Sequence, residues 1–275
     1  MINDFRFGVG VRYVKSAQAL RDTVRRFEDL GFDVLHVPDH LGAPAPFPTM
    51  VAAAEAAATM RVGTYVLNAA FYKPALLARD AVAVDVLSDG RLDLGLGAGY
   101  VREEFEAAEI PYPTAGQRVE HLRRTSAYLK QTAPQIPILI AGNGDRLLTV
   151  AAQHADIIGF TGAGAGVGGS TADPLAERVE FVRAAAGDRF DSLELNLVIT
   201  AVPTDSSGAP NLKLTRAHAP EATDEQLLAM PSVLSGTPRD GADRLRAHRD
   251  RYGVTYFTVQ DYHVEYFSKV IGELR

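Results

Sequence analysis

His36-Val37-Pro38-Asp39-His40 places two imidazoles and a carboxylate within a single short stretch. Such groups either ligate a metal or move protons, and an imidazole with an ordinary pKa near ~6.5 is suited to the second task at neutral pH. The metal reading is weak, because Pro38 interrupts the stretch between the two histidines and no third-ligand pattern accompanies it. Other common chemistries are poorly represented. There is no cysteine, so disulfides, thiolate metal sites and a cysteine nucleophile are excluded. No G-x-S-x-G elbow marks a serine hydrolase. Gly97-Ala98-Gly99 matches part of a dinucleotide fingerprint but lacks the glycine that should follow. Gly142-Asn143-Gly144-Asp145-Arg146 is a stronger candidate for a phosphate cradle, since it follows an apolar strand and opens a helix whose free N–H groups and dipole favour an anion. Asp145 offers an alternative there, because its carboxylate at the helix start would cap those same donors. His121, His154, His218, His248 and His263 fall in expected helices or loops and read as surface or capping residues.

The elements that must carry these residues alternate along the whole chain. Apolar runs mark strands at Phe5–Val11, Phe32–Val37, Val62–Leu67, Arg91–Leu96, Ile136–Ile140, Asp156–Phe160, Leu193–Thr200 and Val254–Val259. Between them lie helical patterns: Ser16 caps one that runs to Gly31, Pro74 opens one that ends at Leu87, and others cover Thr49–Thr59, Gln117–Lys130, Asp145–His154, Leu175–Ala186 and Pro238–Tyr252. Eight strands in this rhythm imply parallel pairing through right-handed crossovers and an α/β (β/α)8 TIM barrel, whose site lies at the carboxyl ends of its strands. The residues just past those ends form a polar, glycine-rich ring: Asp39 and His40, Asn68, Gly97 to Tyr100, Gly142 to Gly144, Thr161, Thr200, and Gln260 with Asp261. In Gly97 and Gly99 the missing side chains are expected to let a ligand approach the backbone. Two segments break the pattern. Gly162–Asp173 is a glycine-rich lid or connector, and Pro203–Pro220 is a long polar loop expected to cover substrate.

The 275 residues suit one barrel, so residues 1–275 are expected to form a single domain. A net charge of −6 and a pI near 5.7, without a cluster of Lys and Arg, speak against nucleic acid. No apolar run approaches the ~18 residues of a membrane span, and Met1-Ile2-Asn3-Asp4 leads straight into a strand, so a cytoplasmic protein with a small-molecule substrate is expected.

Several stretches together carry a family resemblance. Phe5–Val11, Val37-Pro38-Asp39-His40, the run RVGTYVLNAAFYKPALLARDAVAVDVLSDGRLDLGLGAGY from Arg61 to Tyr100, Arg118-Val119-Glu120, PILIAGNGDRLLTVAAQHADIIG and the closing GTPRDGADRLRAHRDRYGVTYFTV resemble the luciferase-like monooxygenase superfamily, and more narrowly its coenzyme F420-dependent oxidoreductases. The resemblance implies a barrel binding F420 or FMN at the strands' carboxyl ends. It places Asp39 and His40 beside the ring, a non-prolyl cis peptide at Tyr65–Val66 behind it, Asn68 nearby, and the phosphate at Gly142, Asn143 and Gly144. Gly97, Gly99, Tyr100 and Thr161 complete the cofactor-binding set, and no metal is implied. The expected reaction is hydride transfer between C5 of F420 and a small organic substrate. His40 would supply or remove the coupled proton, and Asp39 would orient His40 or touch the ring. The alternatives are an FMN-dependent luciferase-like monooxygenase or reductase, and a non-catalytic flavin-binding or scaffold protein. Related chains carry a longer connection before strand five than TAPQIPILI, and its loss is expected to widen the cleft or remove part of a substrate wall. The alanine-rich helix Thr49–Thr59, with family pairing through the helices after strands two and three, implies a homodimer.

Overall fold

The computed structural model describes residues 5–161 and 173–275. Nine parallel strands occur among them: β1 (Arg6–Gly10), β2 (Val34–Val37), β3 (Arg61–Thr64), β4 (Leu67–Asn68), β5 (Leu92–Gly97), β6 (Ile138–Ala141), β7 (Ile157–Phe160), β8 (Glu194–Val198) and β9 (Val254–Gln260). They are ordered β3-β2-β1-β9-β8-β7-β6-β5-β4, and β3 also pairs with β5. β3 and β4 are two halves of one stave, since Val62 of β3 aligns with Leu92 of β5 and Leu67 of β4 aligns with Leu96 of the same strand. The sheet therefore closes as the expected eight-stave barrel. The halves are separated by Tyr65-Val66, joined by a cis peptide.

That interruption is accommodated by its neighbours. The Thr64 hydroxyl donates to Gly95 O at 2.7 Å and accepts from Gly95 N at 2.9 Å, which replaces ladder bonds lost where the stave breaks. On β5 the bulge leaves no room for side chains. A Cβ at Gly95 would lie 1.9 Å from Thr64 O, and one at Gly97 would lie 2.7 Å from Val66 Cγ2.

The surrounding helices are α1 (Ala17–Asp29), α2 (Pro46–Ala56), α3 (Pro74–Leu87), α4 (Arg102–Ala107), α5 (Ala115–Thr132), α6 (Asp145–His154), α7 (Pro174–Ala186), α8 (Lys213–His218), α9 (Asp224–Ala229), α10 (Pro238–Tyr252) and α11 (Val264–Leu274). Ser16 caps α1 as expected, and Thr114 with Gln117 forms a capping box that starts α5. α2 lies three residues upstream of the expected Thr49–Thr59. Pro46 preorganises its first turn, and Glu28 takes the amides of Ala58, Thr59 and Met60 out of any helix. α4, α9 and α11 were not expected. The polar segment Pro203–Pro220 is partly structured: it contains the whole of α8, and the Thr200 hydroxyl past β8 meets those of Thr215 and Ser232 at 3.0 and 3.1 Å in a buried cluster. Residues 162–172 of the glycine-rich segment lie outside the described residues.

The amino-terminal end of the barrel is closed by charge. Asp93 is 1% exposed and binds both Arg6 and Arg61, the latter at 2.9 Å, while Arg6 also meets Glu194 at 2.8 Å. Above this layer the Arg6 guanidinium lies 4.6 Å from the Tyr256 ring centroid, and Tyr256 Oη is 2.6 Å from His36 Nε2. The α5–β6 connection sits at this same end, where Gln135 Nε2 approaches Asp85 Oδ2 at 3.5 Å. It follows a helix and precedes a strand, so its shortness does not widen a cleft built from loops at the opposite end.

Candidate active site

A cleft of about 670 Å³ opens at the carboxyl ends of β2 to β7. Its lining includes Asp39, His40, Tyr65, Val66, Asn68, Gly97, Gly99, Tyr100, Gly142, Gly144 and Thr161. The cleft thus gathers every residue of the expected catalytic and cofactor-binding set except Asn143. Asn143 faces a smaller adjoining hollow, where its Nδ2 donates to Thr161 Oγ1 at 2.6 Å and to Thr161 O at 3.1 Å. The rest of the expected ring is divided from the cleft. Thr200 is buried in its hydroxyl cluster, Asp261 accepts from Arg12 at 3.1 Å, and neither they nor Gln260 lines the cavity. No residue of Pro203–Pro220 lines it either.

His40 stands at the cleft margin with its side chain 50% exposed, and its Nδ1 lies 2.8 Å from Glu104 Oε1. The same oxygen accepts the Leu41 amide at 3.3 Å. Glu104, from α4, is therefore the imidazole's partner in place of Asp39, for which orienting His40 is one of two expected roles. In the neutral ring this contact places the proton on Nδ1 and leaves the Nε2 lone pair for exchange with a ligand. Asp39 is engaged elsewhere. Its Oδ2 accepts the Asn68 amide at 2.9 Å and its carboxylate takes the Tyr72 hydroxyl. Burial raises the Asp39 pKa, and those two hydrogen bonds oppose the rise. Asp39 thus fixes the turn after β4, and His121 secures the same turn by contacting the carbonyls of Ala69 and Tyr72, each at 3.0 Å.

The metal reading of His36 fails on geometry. His36 lies 1% exposed inside the barrel and is committed to Tyr256, whereas His40 lines the open cleft. Burial, reinforced by Arg6, pushes the His36 imidazole down to about 3, so it is neutral at ordinary pH. His248 and His263 are also buried instead of lying on the surface, and His248 Nε2 contacts the Pro231 carbonyl at 2.9 Å.

Two glycines have a different task from the one expected. At Gly97 a side chain would strike Val66, and at Gly99, with φ +73°, a Cβ would fall 2.1 Å from Asn68 Oδ1. They admit the protein's own floor to the cleft as well as bordering it. Gly144 differs: nothing lies within 4 Å of its absent Cβ. It is the N-cap of α6 and supplies no side-chain bond to the helix start. Nor does Asp145 cap it, because Arg178 takes that carboxylate at 2.5 Å. The first amides of α6 consequently face the cleft side without a side-chain acceptor, the arrangement an anion uses. Arg146 lines the cleft beside them. Arg118 lines it too, but is spent on structure: it donates to Gly99 O at 2.7 Å and Pro113 O at 2.5 Å and covers the Tyr112 ring.

An apolar floor, an acid–base pair at one edge and uncapped helical amides at another fit a flat redox ring with a phosphate tail. The family comparison agrees, since residues 4–209 match the model for luciferase-like monooxygenases. The chain belongs to the luciferase-like monooxygenase family. Among relatives in this family, it is 32% identical over 135 residues to an F420-dependent glucose-6-phosphate dehydrogenase of Amycolatopsis mediterranei (strain U-32), covering 44% of this chain and 40% of the relative. It is 33% identical over 89 residues, 32% of this chain and 25% of the relative, to the oxygenase component of a flavin-dependent trigonelline monooxygenase of Acinetobacter baylyi (strain ATCC 33305 / BD413 / ADP1). The aligned segments thus span less than half of either relative. A solved F420-dependent secondary alcohol dehydrogenase, in complex with an F420-acetone adduct, superposes with a TM-score of 0.76 over 99% of this chain and 100% of that one, at 15% identity. That likeness shows the fold. No described helix is long and apolar enough to cross a membrane.

Proposed function

We propose that this family member is an F420-dependent oxidoreductase acting on a small organic substrate, with FMN as the alternative cofactor. The observation that carries the reading is the His40–Glu104 pair, 2.8 Å apart, at the margin of an apolar cleft. When bound, a deazaflavin supplies hydride transfer at its C5 position. The chain's own part is to hold the ring and manage the proton. Tyr65, Val66, Gly97 and Gly99 form the floor, while Asn68 and Tyr100 border it. The amides at Gly144 and the start of α6, together with Arg146, receive the phosphate, and Thr161 closes that end by holding Asn143. His40 Nε2 accepts or returns the substrate's proton, and Glu104 stabilises the imidazolium that forms. Both roles ask little of a metal or a covalent nucleophile.

Four of the matched relatives are named for F420 and one for flavin, and that weight supports naming F420 first. A panel of alcohols, aldehydes and enones, followed through the cofactor's absorbance under anaerobic conditions, tests turnover. Transfer with any member supports the reading, and none with either cofactor would leave a binding protein. We further propose a homodimer in the cytoplasm. The exposed apolar residues Leu76, Val86 and Leu87 of α3, beside alanine-rich α2, offer a face for a second copy. A monomer mass by light scattering at micromolar concentration would contradict it.

A further inference from the structure

Tyr65 belongs to two environments. Its residue lines the cleft, yet its hydroxyl passes into the barrel, donating to Asn196 Oδ1 of β8 at 2.9 Å. Asn196 is fully buried and its Nδ2 donates in turn to Thr258 Oγ1 of β9 at 2.9 Å. The Tyr65 ring also meets the His36 ring of β2 edge-on, with centroids 5.3 Å apart. On β7, Gly159 is bare where a Cβ would lie 2.7 Å from the Tyr65 hydroxyl. Three staves, β2, β7 and β8, therefore meet one aromatic side chain, and β9 is reached through Asn196. Burial raises the phenol's pKa, so it remains a donor.

The cleft walls come from β2 to β7, whereas β8 and β9 contribute no lining residue. The Tyr65–Asn196–Thr258 chain is a link from that unused side to the floor at Tyr65 and Val66. We propose that Tyr65 is a positioning residue, whose tether to Asn196 fixes the height of the cleft floor against the far side of the barrel. Resting on the cofactor reading above, the tether holds the surface on which the redox ring lies, in the way outer-layer hydrogen bonds orient groups that touch a ligand directly.

The test compares Tyr65→Phe, Asn196→Ala, the double variant and Leu245→Ala, a buried change on α10 remote from the tether. Hydrogen exchange in the cofactor-free protein reads the floor directly, at the Asn68 amide, held by Asp39, and the amide of position 65, held by Val37 O. Each tether variant is expected to speed exchange at these two amides about tenfold, and the double variant to add little. Leu245→Ala should lower the thermal midpoint without that local signature. F420 titrated into Tyr65→Phe should bind about tenfold more weakly, with the absorbance of the bound ring moved towards its free position. Unchanged exchange at both amides in folded Tyr65→Phe would overturn the proposal. So would faster exchange with unaltered affinity and spectrum. If wild type binds neither F420 nor FMN while the exchange result holds, the cofactor reading falls and the tether's control of the floor stands.

Discussion

The two ends of the barrel treat their polar groups in opposite ways. At the amino-terminal end each buried charge has a partner: Asp93 binds Arg6 and Arg61, and Glu194 completes the set. At the carboxyl end the Nε2 of half-exposed His40 is uncommitted, Arg146 borders the cavity, and the start of α6 has no side-chain cap. Paired charges in the low-dielectric lumen hold the staves in one arrangement. Polar groups left available around the open cleft are solvated instead, and a ligand would take the place of that water.

Four substitutions or conditions would break or sharpen this contrast. The largest effect is expected at Asp93→Ala, which leaves two guanidinium groups facing a buried void and should cost about 3–5 kcal/mol in urea unfolding. A loss under ~1 kcal/mol would show that the lower layer is not what holds the barrel closed. His40→Ala should do the reverse, lowering turnover by roughly 10²-fold, or about 2.7 kcal/mol of transition-state stabilisation, with cofactor affinity and unfolding little changed. Lost cofactor binding with normal residual chemistry would instead make His40 a packing residue.

Gly144→Val should weaken cofactor binding by about 1–3 kcal/mol. Its backbone, at φ −74° and ψ 140°, is open to any residue, and the empty space around it spares the fold, so calorimetry should show an unchanged thermal midpoint. A fall in midpoint at constant affinity would return the α6 terminus to a structural role.

The smallest effect is acid sensitivity at the lower end. Burial of Glu28 opposes its ionisation, but the amides of Ala58, Thr59 and Met60 outweigh it and hold the carboxyl at about 2, against 4.5 when unperturbed. A depressed folded-state pKa stabilises the fold in full above about 4.5, and that contribution fades as pH falls towards 2. Glu28→Gln should flatten the stability profile across this window, read by thermal melts at successive pH values. An identical slope in both proteins would remove Glu28 from the acid response.

The barrel was legible because strand and helix periods differ, and Ser16, Pro74 and Gly31 punctuate them in the sequence. Boundaries moved where a distant group competed, as when Glu28 ended α2 early. Most cleft residues were legible because they follow strand ends, whereas Tyr65 and Val66, inside the run Val62–Leu67, came only from the family resemblance. Their functions were less so. Glu104 lies 64 residues from His40 and sits in Arg102-Glu103-Glu104, which reads as an ordinary solvated face. Gly97 and Gly99 looked like room for a ligand, since nothing local announces that Val66 and Asn68 press on them. The lower network did leave a trace: Asp93 stands within an otherwise apolar strand, Glu194 and Asn196 alternate with the leucines of β8, and in a closed barrel alternate residues point inwards. Tyr65 left none, because its partner is 131 residues away.

The most direct measurement is titration of the purified protein with F420 and, separately, FMN, followed by fluorescence quenching. The proposed F420 reading predicts saturable F420 binding at micromolar concentration or below, and FMN at least about tenfold weaker, a difference of ~1.4 kcal/mol. Tighter binding of FMN, or no binding of either cofactor above micromolar concentration, would contradict it.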